Sequence, residues 1–86
     1  MKYYSYLEVI NHTNEESCWI LVGRNIYDVT EFLNIHPGSK EAILKYAGQN
    51  AKESYNYHSK DGKKLWGNYF IGKLLKDDLV NIKKVL

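Results

Sequence analysis

The tetrapeptide His36-Pro37-Gly38-Ser39 constrains this chain more than any other stretch of it. The proline ring disfavours the α region for the residue before it, so His36 is expected in an extended conformation where a helix must stop. Gly38 lets the chain turn sharply, and Ser39 is suited to cap the helix that follows. On its own the tetrapeptide suits a surface turn equally well. A second histidine changes the question, because the 22 positions from His36 to His58 have room for two short helices. Two neutral imidazoles presented by two helix pairs can close on opposite faces of one haem iron, leaving no vacant coordination position.

The surrounding pattern predicts short elements in alternation. Ser5 and Glu8 stand at capping-box spacing, which predicts a helix over residues 6–11. His12 follows as a loop residue. Trp19-Ile20-Leu21-Val22 is an apolar run suited to a buried strand, and Gly23-Arg24-Asn25 turns it into a second strand, Ile26-Tyr27-Asp28-Val29. Thr30 can cap a helix carrying Phe32 and Leu33, and Pro37 ends it. From Ser39, residues Ala42, Ile43, Tyr46 and Ala47 form one apolar helix face, and Gly48 is placed to terminate it. Asn50 and Glu53 repeat the capping-box spacing before Ala51, Ser54 and Tyr55. Ser59 or Asp61 can cap a last helix through Leu65, Trp66 and Tyr69. Phe70-Ile71 reads as a closing strand and Gly72 as a turn.

Composition permits one modest core in 86 residues, marginal enough that a bound cofactor could contribute much of the stability. Hydrophobic residues make up 44% of the chain, and the eight tyrosines have amphipathic rings suited to a pocket wall. A net charge of +2, with no basic run longer than two residues, gives no case for nucleic-acid binding. Cys18 is the only cysteine, so there is no intrachain disulfide and no Cys-x-x-Cys-His for covalent haem attachment. It reads as a small residue packed in or beside a strand. A haem here would be held non-covalently, as haem b. The start of the chain lacks the sustained apolar stretch of a signal peptide, and no segment approaches the ~20 apolar residues that span a bilayer. The chain reads as a soluble, cytoplasmic monomer without membrane insertion, although a piece cut from a longer protein would read the same. Two histidines and one distant cysteine make a poor zinc site.

From residue 6 to 74 the chain resembles the cytochrome b5-like haem-binding family. The resemblance rests on Cys18-Trp19-Ile20-Leu21-Val22, on Asn25-Ile26-Tyr27-Asp28-Val29-Thr30-Glu31-Phe32-Leu33, and on the His-Pro-Gly loop. Ala47-Gly48, His58-Ser59 and Phe70-Ile71-Gly72-Lys73-Leu74 continue it. Each piece is weak alone; their order and spacing are specific. The resemblance implies one α+β domain over residues 1–86, with short helices forming a haem cleft over a small mixed β-sheet. It implies His36 and His58 as axial ligands. Pocket residues implied are Phe32, Leu33, Ile35, Ile43, Ala51, Tyr55, Tyr57, Leu65, Trp66, Tyr69 and Phe70, with Ser59 placed to bond a haem propionate. It also implies a non-enzymatic electron carrier with a low-spin bis-histidine haem of lower potential than Met/His cytochromes. Its partners would be a flavin or NAD(P)H-dependent reductase and an acceptor oxidase or desaturase.

Three departures bear on that expectation. The interval from His36 to His58 is shorter than the family pattern implies, Tyr57 stands where glycine usually precedes the second ligand, and Ser39 replaces the motif's second glycine. Either the helix holding Tyr55 ends sooner and His58 still reaches the iron, or the second axial site is strained or is left open, as a haem-dependent sensor or oxidase would need. Tyr57 is expected to pack on the haem edge, with ligation by Tyr57 itself the remoter variant. Charge departs too. Lys40, Lys45, Lys52, Lys60, Lys63 and Lys64 face only Glu41, Glu53 and Asp61 in this segment, where the family commonly carries an acidic collar.

Overall fold

Strand β3 (Ser17–Val22) organises the molecule, because alternate residues of a strand face opposite sides and nearly all of this one are apolar. The structure, a computed structural model, describes residues 1–35 and 40–78. Cys18, Ile20 and Val22 point to one side and pack with Tyr27, Val29, Leu33 and Ala51. Trp19 and Leu21 point to the other and pack with Val9, Ile26 and Leu74. One strand thus supplies two cores. Leu21, Ile26, Leu33 and Leu74 are completely or almost completely buried, each contributing roughly 1.5–3 kcal/mol relative to exposure. Burial raises the Cys18 thiol pKa to about 11, with Asp28's charge adding to it.

β3 turns into β4 (Asn25–Asp28) through Gly23-Arg24. Only Gly23 takes a positive φ there (61°), matching the hairpin class that needs glycine at the first central position. The five-stranded sheet is mixed and runs β1-β5-β4-β3-β2, with β1 (Tyr3–Tyr4), β2 (Thr13–Asn14) and β5 (Phe70–Leu74). β1 lies parallel to β5, and every other neighbouring pair is antiparallel. Gly72 corrects the sequence reading, because it lies inside β5 rather than in a turn. A Cβ there would sit 2.6 Å from the Lys2 carbonyl and 2.8 Å from the Tyr4 ring. Glycine is needed for the close approach of β1, not for a bend.

Helix α1 (Tyr6–Ile10) is capped as expected, the Ser5 hydroxyl accepting from the Glu8 amide at 3.2 Å. Helix α2 (Thr30–Ile35) starts differently from expectation. Thr30 is already helical, and Asp28 Oδ1 accepts from its amide and its hydroxyl. The Thr30 oxygen in turn accepts from the Cys18 amide at 2.9 Å, tying α2 to β3. Helix α3 (Lys40–Leu44) ends earlier than expected, the chain turning through Gly48 at φ 71°. Helix α4 (Lys52–Asn56) has Ala51 at its N-cap position. Asn50 Oδ1 accepts from the Lys52 amide, so the anticipated bond to Glu53 is not the one that forms. Helix α5 (Lys60–Gly67) is capped by Ser59 and stops before Tyr69.

Candidate haem-binding cleft

The helices stand on the β3 side that carries Ile20 and enclose an apolar slot. Ile20 and Val29 form its floor. Phe32, Ala42, Ile43 and Tyr46 line it together with Ala51, Ser54, His58, Gly62, Leu65, Trp66 and Tyr69. Its cavity volume is about 200 Å3. Such a slot suits a flat apolar ligand with one edge in solvent.

His58 reaches this slot because α4 stops short. After Asn56 the chain makes tighter bonds, Tyr57 N–H to the Ser54 carbonyl (3.2 Å) and His58 N–H to the Tyr55 carbonyl (3.0 Å). The His58 ring then bonds back to its own helix, with Nδ1 3.0 Å from the Ser54 carbonyl oxygen. A carbonyl only accepts, so Nδ1 donates and holds the ring proton. In the neutral ring the lone pair is then on the other nitrogen, Nε2. Metal-binding histidines have this arrangement, in which a carbonyl fixes the tautomer and orients the ring. Ser59 starts α5 at once, its Oγ accepting from the Gly62 amide at 3.1 Å and leaving its own hydroxyl proton to donate elsewhere. Gly62 lies against His58; a Cβ there would be 3.4 Å from the His58 Cβ.

Of the residues implied by the sequence, Phe32, Ile43, Ala51, Leu65, Trp66 and Tyr69 line the slot together with His58. His36 and Ser39 lie outside the described residues. Leu33 is buried beneath the slot, in the core with Cys18 and Ile20. Tyr55 and Phe70 pack on Tyr27 and do not join the lining, at ring centroid distances of 6.4 and 5.8 Å. Ile35 is 61% exposed, since about 200° of helix separates it from inward-facing Leu33. Tyr57 is 86% exposed. Ser54 and His58, four positions apart, share the slot side, and Tyr57 is turned about 100° away from them. It does not join the slot lining. His12 is the expected loop residue, but its ring lies flat on Trp19, centroids 3.8 Å apart, on the opposite side of β3 from the slot.

Several lining residues carry no sequence assignment to the pocket. Ile20 and Val29 read only as strand core, although the period of two puts Ile20 on one face with Cys18 and Val22. Ser54 and Gly62 flank His58 at four positions on either side, a spacing that could have indicated them. Tyr27 stands behind the lining; burial and then neighbouring Tyr55 push its hydroxyl pKa up, so it stays neutral there. Among the described residues no three His, Cys, Asp or Glu side chains gather to hold a bare metal ion, and no helix is long and apolar enough to cross a membrane.

The family pattern described as cytochrome b5-like heme/steroid binding domain matches residues 5–75. The chain belongs to this cytochrome b5-like family. Its fold is the family's, and the family is one of b-type haem-binding domains. The residues present fit that cofactor: an apolar slot, an imidazole with a free nitrogen, and a serine hydroxyl beside it. The chain is 40% identical to cytochrome b5 of Gallus gallus over 85 residues, covering 96% of this chain and 62% of that protein. It is 42% identical over 78 residues to nitrate reductase [NADH] 1 of Phaseolus vulgaris, covering 90% of this chain and 9% of that enzyme. The solved structure of cytochrome b5 of Ostreococcus tauri virus 2 superposes with a TM-score of 0.72 at 35% identity, covering 84% of this chain and 95% of the other. The chain spans 62–64% of the length of the animal cytochromes b5 it matches.

Proposed function

We propose that this chain is a cytoplasmic one-electron carrier, a single domain over residues 1–86 that holds haem b between His36 and His58. Its partners are redox proteins, a flavin or NAD(P)H-dependent reductase on one side and an acceptor oxidase or desaturase on the other. The observation that carries this reading is the His58 ring, which lines the slot while the Ser54 carbonyl holds its Nδ1. Haem, when bound, supplies reversible one-electron chemistry. The chain's own residues do the rest. Ile20, Val29, Phe32, Ile43 and Leu65 exclude water from the slot, and the Ser59 hydroxyl remains available to a carboxylate at its edge. The short interval before His58 also supports two-sided ligation, because the early end of α4 leaves the imidazole on the slot wall.

Purified protein should be red and, on reduction with dithionite, show the sharp, split bands of a bis-imidazole haem without taking up carbon monoxide readily. His36→Ala and His58→Ala should each remove the low-spin spectrum and sharply weaken haem retention. An unchanged low-spin spectrum in His58→Ala sinks the assignment, and ready carbon monoxide binding would support an open-position sensor or oxidase instead.

Charge narrows the partner. α3, the turn after it, α4 and α5 carry six lysines against three acids. Only Lys40 has an ion-pair partner among the described residues, Glu15 at 3.1 Å. Acids gather elsewhere, with Glu16, Asp28 and Glu31 lining a separate groove behind Tyr69. Steering of a strongly basic acceptor should therefore be weak or reversed. Electron transfer to a cytochrome c of that kind should be flat or rise with ionic strength, as charges are screened over about 10 Å at 0.1 M. A steep fall with salt in stopped-flow rates would refute this charge argument.

A further inference from the structure

We infer that Trp66 is a positioning residue for His58, fixing the plane in which the imidazole is presented to the slot; the inference rests on the reading of His58 as a ligand. The bond from Nδ1 to the Ser54 carbonyl restrains one atom of the ring. A ring held at one atom can still swing, so its plane needs a second support. Neighbours in the chain do not provide it. Tyr57 is turned to solvent, Ser59 is occupied in capping α5, and Gly62 brings no side chain.

Trp66 does provide it. Its indole meets the His58 ring edge to face, with centroids 5.6 Å apart and planes at 78°, a preferred arrangement for aromatic pairs. The indole is itself held on two further sides. Tyr55 meets it at 5.3 Å and 84°, and Tyr27 at 5.1 Å and 85°. Tyr27 is buried in the core with Cys18 and Ile20. A line of ring contacts therefore runs from the sheet through Trp66 to the imidazole. The shortened approach to His58 makes this support consequential, because one turn of backbone is all that separates α4 from the ring.

The plane of an axial imidazole sets the orbital energies of low-spin ferric iron, so electron paramagnetic resonance g-values report it. Supports of metal ligands typically change retention 10–100-fold when removed. The test compares Trp66→Leu and Trp66→Phe with the unaltered protein and with His58→Ala. Trp66→Leu should keep the low-spin absorption spectrum, shift and broaden the g-values, and release haem to excess apo-globin roughly tenfold faster. Trp66→Phe, which keeps an aromatic edge, should lie between. In the haem-free protein, the His58 ring-proton resonances should lose the displacement caused by the indole in Trp66→Leu. If Trp66→Leu only lowers the melting temperature while g-values, release rate and ring-proton shifts stay put, Trp66 is a packing residue and the proposal fails. Should Trp66→Leu not fold, Trp66→Phe decides alone, and g-values and release rate equal to the unaltered protein's overturn it. If His58→Ala keeps its low-spin spectrum, the ligand assignment fails, and the haem-free ring-proton shifts still judge the contact separately.

Discussion

β3 buries five residues in succession, whereas α3, α4 and α5 bury none completely. The sheet half is closed by protein alone: Val9, Leu21, Ile26 and Leu74 meet one another with essentially no exposed surface. The cleft half is an unfinished core. Ile43, Leu65 and Trp66 are half-buried or exposed, and each leaves apolar surface bordering the slot. Five-residue helices such as α3 and α4 are too short to persist on propensity alone and depend on what they pack against. The difference teaches that stability and cofactor retention are divided between two regions of one small chain.

The contrast is easiest to break with paired truncations. Leu21→Ala should cost about 2–5 kcal/mol with or without haem, because it opens a cavity in a closed core. Leu65→Ala should cost the haem-free protein no more than about 0.5 kcal/mol and show itself instead as faster haem loss. Equal losses in the haem-free protein, measured by denaturant unfolding, would abolish the distinction.

Hydrogen exchange should locate the boundary. Removing haem should loosen the segment from His36 to Tyr69 and leave the strands around Trp19 and Tyr27 protected. Uniform protection in both forms would show a preformed pocket. The smallest effect compares one chemistry in two settings. Ser5→Ala and Ser59→Ala each remove a hydroxyl that accepts a first-turn amide, worth about 1 kcal/mol. The Ser5 loss should be the same with and without haem, while the Ser59 loss should be larger with haem than without, because α5 borders the slot. Thermal melts of both variants in both forms check it.

What the sequence made legible was local. The caps at Ser5 and Ser59 and the turn at Gly23-Arg24 depend on residues within a few positions of one another, and those readings agree with the structure. The slot residues Phe32, Ile43 and Trp66 were legible through the family resemblance, because their positions in its pattern survive. Gly72 was misread because the groups that demand glycine there belong to Lys2 and Tyr4, at the far end of the chain. The two-residue strand β1 left no periodicity to detect. Tyr57 looked like a ligand neighbour by adjacency, yet helical geometry pairs His58 with Ser54 and turns its neighbour outward. Asn50 was read as a local cap and also spans the fold, its Oδ1 accepting from the Gly23 amide as well as from Lys52.

The outer side of β3 is covered by short contacts rather than by a long strand. The amides of Trp19, Leu21 and, just past the strand, Gly23 are taken by the His12 carbonyl, the Gln49 carbonyl and the Asn50 side chain, and the carbonyls of Trp19 and Leu21 accept from Gly48 and Ala51. An uncovered strand of this hydrophobicity is a template on which copies of a chain can zip together. Most of the cover comes from residues 48–51, the link between α3 and α4. A chain that slackens there bares an apolar edge, so the link that joins two helices lining the slot also guards against clumping.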